Sequence, residues 1–196
     1  MKVLPVNRTS TLTVIILICF RFLLAVLQYI PSIEFSESMG KIPMVYNLLS
    51  IVYIYLYLRN FLGEVMKEKG FSIPLLLLPL LTIISELLNS VPFSSGLFYT
   101  VTVINFLIVV VDIWIWVKII MLPQSAFRKY LRWYTYLSIL GIVASLSVKR
   151  LFEEGVINFT TAALSITFFL SFINQLPFAS ILLMVLAYQK SQKNKW

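Results

Sequence analysis

Six apolar runs, most of them close to the ~20 residues that a helix needs to cross a ~30 Å hydrocarbon core, occupy nearly the whole of this 196-residue chain. The gaps between them are about a dozen residues at most, whereas an independent soluble domain needs at least about 50. The runs are 11–30, 42–62, 71–89, 97–122, 130–148 and 156–188. Because hydrocarbon offers no hydrogen-bond partner to the backbone, such runs must close their amides internally, as helices. The expected fold is therefore all-α: one polytopic transmembrane bundle over 1–196, of about six spans within a range of four to seven. Composition agrees, since only 12% of residues are charged, about half the level usual in soluble domains.

Charge fixes the expected orientation. With the N-terminus inside, twelve basic residues fall on the cytoplasmic side: Lys2, Arg8, Arg59, Lys67, Lys69, Lys118, Arg128, Lys129, Arg132, Lys190, Lys193 and Lys195. Only three, Lys41, Lys149 and Arg150, fall outside. Short loops rich in Lys and Arg stay in the cytoplasm, so both termini are expected there, in the inner (plasma) membrane. Trp114, Trp116, Trp133 and Tyr134 fall near the same interface, where amphipathic rings prefer to sit. The net charge of +8 is read as this bias, and direct nucleic-acid binding is not expected. The basic start before Thr11 resembles a signal peptide, but Arg21 interrupts the apolar run and no small-residue cleavage site follows. It reads as a retained first span ended by Pro31.

Much chemistry is excluded by what is missing. The chain has no His and one Cys, and its only Asp is Asp112. An intrachain disulfide, a His base for a nucleophile, a zinc spacing and an aspartyl dyad within one chain all lack their residues. No enzymatic activity, metal or cofactor is expected. Cys19, deep in the first run, reads as a small buried hydrophobe.

Several groups remain as candidates. Arg21, Glu86 and Asp112 lie inside apolar runs, where an ionised side chain costs about 2.5–3.5 kcal/mol or more, so each is expected to face protein or water. Together they suggest an intramembrane charge network, either an ion or proton path or a pairing that fixes helix register. Asn174-Gln175-Leu176-Pro177 interrupts the last run, because Pro177 withholds an amide from the carbonyl four residues earlier. That run of 33 residues exceeds a normal span, and reads as one helix kinked at Pro177, two half-helices, or a span with an interfacial piece. Broken helices at such depth can line ligand sites; a structural kink is the plainer reading.

Three stripes favour packing. Tyr46, Tyr53 and Tyr57 share a face of the second run. Ser138, Gly141 and Ser145 make a small-residue face on the fifth, suited to close helix contact. Between Pro123 and Tyr134, apolar residues alternate with Arg128, Lys129 and Arg132 in a segment that fits the inner leaflet. With Lys190, Lys193 and Lys195 it forms a basic inner face for anionic lipid, worth about 1 kcal/mol per basic group, or for an acidic cytosolic partner. Asn7-Arg8-Thr9 and Asn158-Phe159-Thr160 match the glycosylation triplet, a pattern too short to carry weight.

The short basic start before Thr11–Ile30, the successive spans without His and the Lys190–Lys195 tail resemble, over the whole chain, the KwaA family of membrane subunits of the Kiwa antiphage system. That resemblance implies a role in phage defence, a homo-oligomer and a DNA-binding cytosolic partner. Six spans with cytoplasmic ends are also similar to the substrate-binding subunits of energy-coupling-factor vitamin transporters. Those carry an Ala-x-x-x-Ala motif in the first span, where this chain has the single Ala25. The expected function is an oligomeric membrane sensor or effector subunit in the bilayer that acts with a cytosolic protein. The alternatives are a small-solute transporter component and a small ion channel.

Overall fold

The computed structural model describes residues 5–27, 37–91, 94–153 and 161–193. It is helical throughout the described elements: α1 (Arg8–Leu27), α2 (Glu37–Glu64), a 3-10 turn (Lys69–Phe71), α3 (Pro74–Asn89), α4 (Ser95–Ile120), α5 (Arg128–Glu153) and α6 (Thr161–Lys193). Six of these helical segments are long and apolar enough to cross a membrane. The chain is thus built as a multi-pass membrane helix bundle.

Local chemistry sets the helix ends. Asn7 caps α1: its Oδ1 accepts from the Ser10 amide at 2.8 Å, while the Asn7 amide donates to Ser10 Oγ at 3.1 Å. This reciprocal box satisfies two amides that a helix start leaves free, and it occupies the Asn7 side chain. Ser94 Oγ accepts from the Leu97 amide to cap α4. At the end of α2, Lys67 takes φ 62°, and the Glu68 amide reaches back to the Leu62 carbonyl at 2.8 Å. A left-handed residue with this bond closes a helix C-terminus; glycine is the usual occupant.

Several helix ends differ from the expected limits, α2 for example beginning at Glu37 and α6 ending at Lys193. The fourth span ends at Ile120, with Met121 closing the last turn. The fifth continues to Glu153, past the expected limit at 148. Residues 121–127 are not helical, and the basic segment from Arg128 forms the first turns of α5 itself. It is therefore no separate helix lying along the leaflet. The ends of the first and last runs at Pro31 and 156–160, and the triplet at 158–160, lie outside the described residues.

The α6 helix runs unbroken through Pro177, with 33 residues in one element. Two half-helices are not formed. A proline removes one ladder bond, and a long apolar helix tolerates that loss when neighbours cover the freed carbonyl. Pro79 sits inside α3 in the same way, buried. Cys19, expected inside, is exposed on α1, on a surface that is apolar at Ile16, Phe20 and Leu23 as well.

The chain groups into two compact units. One combines residues 1–14 with 44–123, and the other 15–43 with 124–196. In the first, α3 and α4 pack side by side as an antiparallel pair, and the core gathers Val14, Ile54, Tyr57, Leu58, Phe61 and Ile115. Tyr57 is fully enclosed and shares a hydrogen bond with Thr11 Oγ1 at 3.1 Å, so the tyrosine stripe is packing at this position. In the second unit α5 and α6 pack along each other around Leu131, Tyr134, Ile181 and Met184.

Candidate functional site

Three features read separately in the sequence converge on one stretch of α6 in the second unit. Arg21, from α1, is 94% enclosed, being only 6% exposed. Its Nε donates to Gln175 Oε1 at 3.1 Å, and its guanidinium carbon stands 4.3 Å from the centre of the Phe178 ring. A guanidinium is planar, weakly hydrated and suited to an aromatic face, so Phe178 covers the cation while Gln175 satisfies a proton. Phe22, the next residue on α1, meets Phe172 edge-on at 6.1 Å.

From the other side comes α5. Gly141 is buried, and a Cβ placed there would lie 2.8 Å from Asn174 Oδ1 and 3.9 Å from the Asn174 Cα. The small-residue face of α5 therefore serves contact within the chain, bringing α5 onto α6 where the amides stand. Ser180 Oγ donates to the Pro177 carbonyl at 2.7 Å. The result is a buried cation, two side-chain amides and a proline-modified helix within two turns of α6. Such a cluster can hold a positive charge away from lipid and lock three helices in register.

The other two members of the expected charge network lie in the first unit. Glu86 and Asp112 are half-buried on α3 and α4. Among the described residues neither carboxylate makes a hydrogen bond or ion pair. Within the second unit Arg21 pairs with the Gln175 amide.

The basic face also resolves into local groupings. In the second unit, Phe127 and Tyr188 meet edge-on at 6.1 Å, which joins the start of α5 to the end of α6. Arg128 and Arg132 are half-buried there, and Lys129 and Lys190 are exposed. Lys129 Nζ lies 4.9 Å from the Tyr130 ring centre. Lys193 falls in the last turn of α6 with its side chain outside the described ones, and Lys195 lies outside the described residues. In the first unit the Val6 amide points to Glu64 at 3.4 Å, Arg59 Nε donates to Ser72 Oγ at 2.9 Å, and Lys118 Nζ rests over Gly70. A Cβ at Gly70 would lie 2.7 Å from that ammonium, so the glycine leaves room for Lys118 to lie against the loop. In the second unit Arg128, Lys129, Arg132 and Lys190 lie where α5 begins and α6 ends, while Arg150 lies near the other end of α5.

Three contributors, Phe178, Ser85 and Asn105, were not singled out by the sequence. Phe178 looked like one more aromatic in an apolar run. Ser85 and Asn105 form a hydrogen bond between α3 and α4 at 2.8 Å. The available signal for that pair was Asn105 itself, an amide near the middle of an apolar helix. No protein-family model, no curated protein and no solved structure matches the chain.

Proposed function

We propose that this chain is a non-enzymatic membrane subunit that assembles with copies of itself and works with a cytosolic protein held at its basic end. The observation that carries this reading is the grouping of Arg128, Lys129, Arg132 and Lys190 where α5 begins and α6 ends. The surrounding helices present mostly apolar side chains. A basic platform flanked by amphipathic rings fits the cytoplasmic interface of the inner membrane, with both termini inside. It suits either anionic lipid or an acidic protein surface, and the partner reading assigns it to the protein. The buried Arg21 cluster serves assembly of the bundle in this reading.

The similarity to KwaA subunits supplies the biological setting, defence against phage. Purification in mild detergent with mass measurement is the first test. A homo-oligomer that retains a cytosolic protein, and loses it when Arg128, Lys129 and Arg132 are changed to Glu while the oligomer persists, supports the reading. A monomer that retains a vitamin-like small molecule overturns it in favour of a transporter component. Cells carrying the chain with its neighbouring genes should show reduced phage plating; unchanged plating removes the defence setting.

A further inference from the structure

Helix α4 is the least enclosed of the six membrane-length helices. Its enclosed side follows Ile108, Val111, Ile115, Ile119 and Leu122, all buried or half-buried. Next to that side runs a row at alternating spacings of three and four: Thr102, Asn105, Val109, Asp112 and Trp116. Thr102, Asn105 and Val109 are exposed. Thr102 satisfies its own hydroxyl by donating to the Phe98 carbonyl at 2.8 Å, and Thr100 does the same to Gly96 at 3.0 Å. Asn105 makes no such bond among the described residues. Its one hydrogen bond there is accepted by Oδ1 from Ser85 Oγ at 2.8 Å, which uses one of the two lone pairs of that oxygen. The second lone pair and the Nδ2 hydrogens have no partner among the described residues. Asn174 in α6 is also exposed, but its Oδ1 lies against Gly141 of the neighbouring helix.

Asn105 stands eleven residues into the 26-residue α4, near mid-span, where lipid tails provide neither donor nor acceptor. Headgroups are out of reach at that depth. An amide is both donor and acceptor, so the same residue on a second copy is its complement. A twofold axis beside α4 brings two such amides together and satisfies both at once. Two aligned rows then meet at a spacing that suits helix packing.

We infer that the Thr102–Asn105–Val109 row of α4 is the contact through which two copies of this chain associate within the membrane, closed by reciprocal hydrogen bonds between their Asn105 amides. This rests on the self-assembly part of the proposed function and assigns it a surface.

The test uses the full chain in native membranes, with Cys19→Ser removing the exposed natural thiol. Single substitutions Thr102→Cys, Asn105→Cys and Val109→Cys should oxidise to a product of twice the 22.6 kDa chain mass. Val103→Cys and Val110→Cys, exposed on another side of α4, should not. In mild detergent Asn105→Leu should lower the associated fraction at least threefold at fixed protein-to-detergent ratio, and Asn105→Gln should restore much of it. A chain that stays oligomeric by mass but cross-links equally at all five positions, or at none, overturns the α4 contact alone. A chain monomeric in both membrane and detergent overturns this contact and the self-assembly reading together. A cross-linked product of any other mass means a different partner covers the row, and the inference fails.

Discussion

Gln175 and Asn105 are both neutral amides set among apolar residues of long helices, yet their surroundings differ. Gln175, in the second unit, accepts from a buried guanidinium that also lies over Phe178. Asn105, in the first, accepts from Ser85, is exposed, and has no other partner among the described residues. Polar groups in a bilayer are commonly grouped as one class of suspect. The contrast separates two kinds: a group whose partners lie inside its own unit fixes helix register, whereas a group left half-used addresses something beyond the chain.

The largest test of the inward case is Gln175→Leu. Removing one acceptor from an enclosed cation should lower stability by about 3 kcal/mol, seen as a fall in the melting temperature followed by tryptophan fluorescence in detergent. The double variant Arg21→Met with Gln175→Leu should recover most of that loss, because an apolar pair leaves no buried charge short of an acceptor. If the double variant is as unstable as the single one, Arg21 matters for more than its own burial.

Gly141→Leu comes next. The side chain must enter the space held by Asn174, and forcing the two helices apart should cost about 2 kcal/mol. A change within measurement error means that α5 and α6 do not depend on this close approach. The smallest effect is expected at Ser85→Ala, about 1 kcal/mol, because Asn105 keeps an outward route to satisfaction. A loss as large as that of Gln175→Leu would erase the distinction between the two amides.

Hydropathy made the six helices legible because the length of an apolar run is a local property and the bilayer sets its scale. The meeting of Arg128, Arg132 and Lys190 where α5 begins and α6 ends was legible for a similar reason, since alternate gaps lie on alternate ends of antiparallel helices. Partner choice was not. Arg21 was read with Glu86 and Asp112 on grounds of charge, whereas its hydrogen bond within the second unit goes to Gln175, 154 positions away, a pairing that no periodicity encodes. Pro177 was weighed as a break because proline interrupts helices in water; the long apolar helix around it carries the missing bond. Cys19 was placed inside by its chemistry, yet a membrane bundle has an apolar exterior too, and hydrophobicity alone does not tell its two sides apart.

The α3–α4 pair carries one more consequence. At ~1.5 Å per residue, the 16 residues of α3 reach about 24 Å and the 26 of α4 about 39 Å. Only with the preceding 3-10 turn does the α3 arm approach full membrane length. Two neighbours of unequal apolar height cannot both match one uniform sheet of lipid. The bilayer thins against the shorter arm or the longer one leans, each at a fraction of a kcal/mol per Å of mismatch. Acyl-chain length therefore acts on the two arms unequally, and lipid that matches the α3 arm leaves the longer α4 to lean.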